Sequence, residues 1–351
     1  MRNLPFLGYI LLFLSLVVCC DQQSYNVFNG TFRYVKCPDN IELLKGEEID
    51  IEAMGDFETW IADTLLFVKL SRNGGEAFAS IYHLDSRKIL FEHFILKGNG
   101  PNEYLEAEIV HFIIDSERIC AWISVNYRDK LILVDVTASI ALQRLVVERE
   151  IELDVEDKFA IFNIYFDSDT SIVLRSIFNN DHITVFNPLT GKTRSLGWLY
   201  SEEYTYQDFS DFAAYYVYST EKKVLVGGMS CFDQVNFYPL GEDAPFSIST
   251  ARKAIRYSHV KGTPWEERKV YYPLYVCFND NMLFLTYQNR VEYRDRHSSE
   301  TIFLQVVNWE GELLQVFELD CFLLGQSYDS RTGYLYGVDW ETERIVRYKI
   351  F

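Results

Sequence analysis

Six copies of one sequence unit constrain the fold of this chain more than any other feature. Each copy is an apolar run, a polar turn and a second apolar run: TWIAD-TLLFVKL, HFIID-SERICAWIS, IYFDSD-TSIVLRS, YYVYSTEK-KVLVGG, LYVCFND-NMLFLTY and QSYDSRTG-YLYGVD. The turn positions are Asp63, Asp115, Asp167, Ser219, Asn279 and Asp329. They are separated by 52, 52, 52, 60 and 50 residues, which indicates one repetitive domain. Asp, Asn and Ser favour tight turns because their short side chains bond nearby backbone groups.

Two further strand-like stretches follow each pair. KLILVDV and QRLVVEREIEL follow RICAWIS, and HITVFNP and TRSLGWL follow SIVLRS, without sustained helical periodicity. Four short strands recurring every 40 to 50 residues or so are typical of a propeller blade. We therefore predict an all-β fold, a six-bladed β-propeller with four antiparallel strands per blade. A pair of β-sandwiches is the alternative, but it leaves the regular spacing unexplained.

The two ends of the chain predict how the ring closes. The last repeat supplies only three strands, QSYD, YLYGVD and RIVRYKI. Either TFRYVKC or IELLKGEEIDI, both near the N-terminus, would supply the fourth. Such pairing removes a free sheet edge, which would otherwise invite aggregation. We expect a ring closed by an N-terminal strand, in a propeller domain over residues 41–351.

The N-terminus predicts export. An apolar run over residues 7–18 follows a basic start and ends at Cys19 and Cys20. The run is too short for a permanent span, which takes about 20 residues, but its length suits a signal peptide. It resembles a bacterial lipoprotein signal. The resemblance implies a signal peptide over 1–19, lipidation of Cys20, and a tether and N-terminal segment over 20–40. The protein would then be a membrane-anchored lipoprotein of the cell envelope, periplasmic or surface-exposed. An ordinary secretory signal is the alternative.

Charge and cysteine usage exclude several classes of protein. The net charge of −18 argues against a nucleic-acid binder, which needs a basic surface to displace counterions. Such acidity favours a soluble monomer or a member of an envelope complex. Five cysteines remain beyond the leader, and their odd number and wide spacing indicate neither a disulfide framework nor a zinc site. The six histidines lack metal-ligand spacing, and we predict no metal and no cofactor.

A glycine-rich stretch, GNGPNEY at residues 98–104, follows the first repeat. Together with the repeated Asp-turn cadence, it resembles the TolB-like six-bladed propeller lipoproteins of Bacteroidetes, in which G-x-G-P-x-E-[YF] follows the first blade. The resemblance implies the fold and export, and leaves function open. The residues that match the motif are Gly98, Gly100, Pro101, Glu103 and Tyr104.

Local chemistry assigns this stretch a structural role. The glycines permit positive φ, Pro101 fixes the direction of the chain, and Glu103 is placed to accept backbone amides. The fourth repeat departs from the cadence. Ser219 replaces the turn Asp there, and we expect Gly227 and Gly228 to interrupt the second strand.

The connections predict one functional face. Turns between the first two strands of each repeat are short. Links between second and third strands, and between blades, emerge on the opposite face, and many are long and aromatic. Long loops on a rigid scaffold usually carry binding function, and aromatics and Arg dominate recognition sites. The candidate ligand-binding residues are Tyr127, Arg128, Tyr204, Tyr206, Arg256, Tyr257, Trp265, Arg290, Tyr293, Arg294 and Trp340.

These observations favour a non-catalytic binding module that recognises a glycan, peptide or protein partner through its long loops. No G-x-S-x-G nucleophile elbow occurs, and we identify no catalytic residues. One alternative is a metal-dependent hydrolase or lactonase, or a lyase, with an axial site. That alternative predicts inward-facing Asp, Glu, Asn or His near the start of several innermost strands. Another alternative is a structural subunit of a cell-surface complex.

Overall fold

The computed structural model describes residues 26–52, 58–69, 76–116, 118–155, 161–177, 181–201, 206–273, 276–291 and 302–351. Six small sheets of four or five strands form a ring. This confirms the all-β, six-bladed β-propeller predicted from the repeats. Within the described ranges, no helix is long and apolar enough to cross a membrane.

The chain begins with three strands that join blades formed much later in the sequence. They are β1 (Thr31–Tyr34), β2 (Glu42–Leu44) and β3 (Glu47–Glu52). Blade 1 contains β4 (Thr59–Ala62), β5 (Leu65–Lys69), β6 (Ala77–His83), β7 (Ile89–Lys97) and β8 (Glu103–Tyr104). Blade 2 contains β9 (Ala107–Ile114), β10 (Ile119–Val125), β11 (Lys130–Asp135) and β12 (Val147–Glu152). Blade 3 contains β13 (Ile161–Ser168), β14 (Ser171–Ser176), β15 (His182–Asn187) and β16 (Lys192–Trp198).

The second half of the chain repeats this order. Blade 4 contains β17 (Ala214–Ser219), β18 (Val224–Met229), β19 (Val235–Pro239) and β20 (Phe246–Ser249). Blade 5 contains β22 (Cys277–Phe278), β23 (Met282–Tyr287), β25 (Ile302–Asn308) and β26 (Leu313–Leu319), and a separate pair is formed by β21 (Lys269–Val270) and β24 (Arg290–Val291). Blade 6 contains β27 (Leu323–Asp329), β28 (Tyr334–Asp339) and β29 (Arg344–Lys349). The helical segments are α1 (Val136–Leu142) and the 3-10 helices Tyr206–Phe212, Tyr257–His259 and Trp265–Glu267.

The core lies between adjacent blades. Middle strands such as β10 are buried along their whole length because a neighbouring blade covers each face. Between blades 1 and 2, the ring of Phe67 packs on Phe112 with centroids 4.9 Å apart and on Phe94 at 5.8 Å. Each blade therefore depends on its neighbours for a complete core.

The repeated turn residues act as predicted in several blades. Asp115 Oδ1 accepts the backbone N–H of Arg118 at 2.8 Å, and Asn279 Oδ1 accepts that of Met282 at 2.8 Å. Asp167 differs, because it lies inside β13 and accepts a 2.5 Å hydrogen bond from the Tyr218 hydroxyl of the next blade. The same residue type therefore closes a turn in some blades and ties two blades together in another.

The ring is closed by β3, which confirms the predicted N-terminal closure. It pairs antiparallel with β29, with Glu47 opposite Arg347 and Glu52 opposite Arg344. Ile49 and Ile51 are buried in a cluster contributed by blades 6 and 1. Of the two candidate segments, IELLKGEEIDI therefore supplies the closing strand.

Residues 26–52 form what we call the N-terminal belt. Phe28, 1% exposed, bridges Tyr200 beside blade 3. After it, β1 pairs parallel with β20 of blade 4 and β2 pairs parallel with β26 of blade 5. The belt thus covers the outer edges of blades 4 and 5 before it completes blade 6. It includes part of the segment predicted as a tether.

The expected interruption at Gly227 and Gly228 is wrong. The strand β18 runs unbroken over Val224–Met229, and both glycines pair within it. A Cβ atom at Gly227 would lie 2.6 Å from the ring of Tyr216, and one at Gly228 would lie 2.6 Å from Cβ of Tyr272. Glycine serves here to let two tyrosines approach the strand closely.

Candidate functional site

The order of the strands gives the ring two distinct faces. The strands of each blade run alternately up and down, so turns between first and second strands lie at one end, which we call the short-loop face. Links between second and third strands, and between blades, lie at the other end, which we call the long-loop face. The sequence-predicted ligand-binding residues that the structure describes belong to connections of the long-loop face: Tyr127, Arg128, Tyr206, Arg256, Tyr257, Trp265, Arg290 and Trp340. Tyr204, Tyr293 and Arg294 lie outside the described residues.

Tyr127 and Arg128 occupy a strained turn in blade 2. Asn126, Tyr127 and Arg128 have φ of 52°, 57° and 67°, a left-handed run that residues other than glycine rarely adopt. The Asn126 side chain accepts the backbone N–H of Leu105 at 3.0 Å and so fixes the turn to the neighbouring link. Tyr127 is 58% exposed, whereas Nε of Arg128 is buried without a hydrogen-bond partner among the described atoms.

Arg290 and Trp340 each contact Phe322, which lies between β26 of blade 5 and β27 of blade 6. The Arg290 guanidinium lies 5.6 Å from the centroid of the Phe322 ring, and its Nε donates to Gln288 Oε1 at 2.7 Å. The backbone N–H of Trp340 donates to the Phe322 carbonyl at 2.9 Å, and the side chain is 45% exposed. Phe322 therefore contacts the side chain of Arg290 and the backbone of Trp340.

The basic link between blades 4 and 5 is tied back to the ring. The Tyr257 ring packs on Phe212 with centroids 4.8 Å apart, and Arg268 Nη1 pairs with Asp211 at 2.5 Å. Arg256 is exposed just before the 3-10 helix Tyr257–His259. Tyr206 and Trp265 each begin a 3-10 helix. The link continues into β21, where Val270 pairs with Arg290 of β24.

A cavity of about 320 Å³ lies on the ring axis, where the first strands of all six blades meet. Its polar lining residues include Glu58, Thr59, Glu108, Asn163, Gln326 and Ser327. Its aromatic lining residues include Trp60, Phe112, Phe166, Tyr218, Phe278 and Tyr328. We call this cavity the axial pocket. Its volume lies at the lower end of the range for ligand sites, roughly 300 to 1,000 Å³.

The axial pocket changes character along its length. Every first strand starts at the long-loop face, and the two carboxylates of the pocket come early: Glu58 precedes β4, and Glu108 is the second residue of β9. Aromatic side chains come later, as with Phe112 and Phe166 near the ends of β9 and β13. The two carboxylates of the pocket therefore lie towards the long-loop face, and Phe112 and Phe166 lie towards the short-loop face.

Glu108 is the most perturbed acid of the pocket. Burial and the negative charge of Glu58 raise the pKa of Glu108 to about 7, although Arg128 and Lys69 oppose the shift. Glu58 Oε2 itself forms an ion pair with Lys69 Nζ at 3.0 Å. The carboxyl group of Glu108 therefore titrates near neutral pH.

The remaining polar groups of the pocket are held in place by their neighbours. His111 stacks on Phe166 with ring centroids 5.5 Å apart, and burial lowers its pKa, so the imidazole is neutral at pH 7. Arg175 Nη1 donates to Asn163 Oδ1 at 3.0 Å, and the same guanidinium forms a fully buried ion pair with Asp181. This buried pair fixes the orientation of the Asn163 amide.

The charges of the pocket wall are all negative. Glu58 and Glu108 line it, and no Lys or Arg is among the described lining residues. In the described part of the chain, no group of three or more His, Cys, Asp or Glu side chains could hold a metal ion. The wall thus offers carboxylates, amides and aromatic rings.

The glycine motif has a structural geometry. Glu103 Oε2 accepts the backbone N–H of Gly100 at 2.9 Å, and the backbone N–H of Gly98 donates to the Tyr104 carbonyl at 3.1 Å. Gly98 has φ of 152°, and a Cβ atom there would lie 2.0 Å from Glu103 Oε2. The Glu103 side chain thus folds back over both glycines.

No axial residue was named from the sequence, although the alternative of an axial site predicted Asp, Glu, Asn or His early in several innermost strands. Their signal was a polar residue early in an otherwise apolar first strand, as Glu108 in AEIVHFII and Asn163 in IFNIYFDS. Aligning the six first strands would have shown these positions. That the side chains share one cavity follows only from the ring.

No family model matches this chain, and no curated protein sequence is significantly similar to it. Similar solved structures include a member of the DUF4221 family from Bacteroides vulgatus, 13% identical, covering 92% of this chain and 98% of its own, with a TM-score of 0.52. A Bacteroides fragilis protein described as exported is 12% identical over 91% and 99% of the two chains, with a TM-score of 0.49. Regucalcin from Agrobacterium tumefaciens is 9% identical over 89% and 96%, with a TM-score of 0.47. At 13% identity, the likeness to the DUF4221 protein shows a shared fold alone.

Proposed function

We propose that this chain is an exported, lipid-anchored, non-catalytic binding module. It recognises a glycan, peptide or protein partner through its long-loop face, and one group of that partner enters the axial pocket. The observation that carries the proposal is the axial pocket itself, a cavity of about 320 Å³ walled by every blade. A cavity of this size fits one side chain or one sugar ring, so the rest of a partner would lie on the loops around it.

The exposed aromatics of the long-loop face support this arrangement. Tyr127 and Trp340 are 58% and 45% exposed, and both lie in links of that face. Large rings can cover a partner at low entropic cost, and such residues dominate recognition energies. Together with the axial pocket they offer a rim and a central anchor point.

Anchoring by a lipid follows from the lipoprotein-like N-terminus and the resemblance to TolB-like propeller lipoproteins. Only residues 21–25 separate Cys20 from Asn26, where the N-terminal belt begins. Five extended residues span at most about 18 Å. The ring of an anchored protein would therefore stay close to the membrane, in the cell envelope.

A library screen tests the proposal. The immobilised protein is exposed to a glycan array and to a random peptide library, and hits are measured again with Trp340→Ala. We expect Trp340→Ala to weaken binding at least about tenfold, as removal of a recognition aromatic does, with an unchanged Tm.

Leu189→Ala is the matched control, because Leu189 is 69% exposed on the short-loop side of blade 3. It should change neither binding nor Tm. Hits that the Leu189 variant loses as fully as the Trp340 variant, or a screen without any hit, would contradict the proposal.

A further inference from the structure

We infer that the axial pocket is a site for an organic cation, an ammonium or guanidinium group on an aliphatic stem, as in a lysine or arginine side chain of a peptide. The inference rests on the proposed function, because it uses the same pocket and selects the peptide among the three classes of partner.

The charge of the wall gives the sign of the ligand. The lining residues that carry charge are Glu58 and Glu108. His111 also lines the pocket, but its imidazole is neutral at pH 7 because burial lowers its pKa. The positive charges of Lys69 and Arg128, which are not among the described lining residues, lower the pKa of Glu108. An anion entering the pocket would therefore meet like charge. A cation would meet the Glu108 carboxylate and the Lys69-paired carboxylate of Glu58 in a partly desolvated space, where attraction is stronger than in water.

The aromatic residues suit the same ligand. Trp60, Phe112 and Phe166 line the pocket together with five more phenylalanine and tyrosine side chains. Ring faces attract cations, by about 2 kcal/mol when the contact is desolvated, and they also cover an aliphatic stem. A cavity that joins carboxylates at one end to aromatic rings at the other matches a group that is charged at its tip and apolar along its stem.

A bare metal ion fits this wall less well. Calcium takes six to eight oxygen ligands, and magnesium needs a near-ideal octahedron of oxygen ligands. Glu58 is already paired with Lys69, and no cluster of three potential metal-binding side chains occurs in the described part of the chain. Aromatic walls offer no metal ligands.

The titration of Glu108 makes the inference sensitive to pH. The charged groups around Glu108 are Glu58, Glu106, Lys69 and Arg128. Because its pKa is about 7, Glu108 is mostly protonated at pH 6 and mostly ionised at pH 8. A cation favours the ionised form, so its binding should strengthen as pH rises and should release protons near neutral pH.

Isothermal titration calorimetry on the full protein tests the inference with three matched probes: Nα-acetyl-lysine amide, Nα-acetyl-arginine amide and the neutral Nα-acetyl-norleucine amide. We expect one cationic probe to bind at least about tenfold more tightly than the norleucine probe at pH 8, and its affinity to fall up to about tenfold at pH 6. Buffers of different ionisation enthalpy should report proton release near pH 7.

Two variants separate this site from general charge. Glu108→Gln should weaken the cationic probe at least about tenfold and abolish proton release, while Glu92→Gln, at an exposed position of β7, should change neither. Equal binding of the norleucine probe, or no cationic probe binding at about 10 mM, would overturn the inference. Calcium chloride that binds in a Glu108-dependent manner, while both cationic probes fail, would overturn it in favour of a metal site.

These outcomes are distinct from a failure of the proposed function. Library hits that depend on Trp340 but carry no cationic group leave the binding module in place and overturn only the cation site. A screen without hits would instead remove the proposed function, whatever the small probes do.

Discussion

Glu108 shows how the ring perturbs a single side chain. In an ordinary strand, a glutamate at the second position would reach solvent. Here the six blades converge, and burial together with Glu58 raises the pKa of Glu108 from 4.5 to about 7. A raised carboxyl pKa favours the protonated form of the folded protein. The stabilisation of the folded protein that comes from protonated Glu108 is therefore complete below about pH 4.5 and is lost as the pH rises towards 7.

Replacement of Glu108 should consequently stabilise the unliganded protein in alkaline solution. Gln cannot ionise, so Glu108→Gln avoids the cost of a buried charge. We expect Glu108→Gln to raise the free energy of unfolding by about 2 kcal/mol at pH 8, and by less as the pH falls to 5. Chemical denaturation at both pH values measures it. A gain that is equal at the two pH values, or a similar gain in Glu92→Gln, would contradict the pKa assignment.

Residue roles were predictable from sequence where they are local. The turn residues Asp115 and Asn279 act on backbone groups within three positions, and Glu103 folds onto glycines of its own stretch. Glu108 and Asn163 were not predicted as site residues, because their shared pocket depends on strands more than 50 residues apart. Arg290 likewise gained a role against Phe322 that only the three-dimensional arrangement shows.

At the scale of elements, β3 is the strand on which closure depends. One side of it presents Ile49 and Ile51 to the cluster between blades 6 and 1. Its exposed positions carry charges, and Arg347 forms a two-pronged ion pair with Glu47, both bonds 3.0 Å long. Such an exposed pair contributes little, so the apolar side carries most of the stabilisation.

Truncation of the buried side should therefore be costly. Ile49 is 2% exposed, and Ile49→Ala should lower the free energy of unfolding by about 2 to 4 kcal/mol, as in other cores. Asp50→Ala, at the next and exposed position, should cost less than about 0.5 kcal/mol. Urea unfolding of both variants measures the difference, and equal losses would show that β3 does not close the ring through its apolar side.

The repeated elements were predictable because apolar alternation and turn residues are properties of neighbouring positions. The N-terminal belt was only partly predictable. Two segments could have closed the ring, and sequence did not distinguish them. Nothing local indicates that β1 pairs with blade 4 or β2 with blade 5, since an edge strand takes whichever partner the path of the chain brings to it. The prediction for β18 was wrong because Gly227 and Gly228 make room for Tyr216 of the paired strand and for Tyr272, contacts that a glycine pair in the sequence does not reveal.

Over the whole molecule, the N-terminal belt joins elements that the rest of the chain leaves apart. It contacts blades 3, 4, 5 and 6 in turn. Without it, blade 6 would have three strands, and the cluster between blades 6 and 1 would lose two isoleucines. The ring is thus one cooperative unit rather than a row of six independent sheets.

Removal of the belt tests this view. A chain that begins at residue 53 should bind a hydrophobic dye at 25 °C and unfold at a lower temperature than the full protein, because an unpaired edge and an open core would be exposed. A synthetic peptide of residues 41–52 should reduce the dye signal. A shortened chain that matches the full protein in both measurements would show that the belt is dispensable.

Because β3 pairs with β29, an early strand of the chain has to remain unpaired until the last blade is synthesised. The ion pair between Glu47 and Arg347 joins residues 300 positions apart, so at roughly 5 to 20 residues per second the early strand waits roughly 15 to 60 s for its partner. Glu47, Glu48, Asp50 and Glu52 alternate with or flank the two isoleucines. Charged side chains on an unpaired strand disfavour its pairing with a strand of another chain. We therefore expect the acidic residues of β3 to limit its mispairing until the last blade is synthesised.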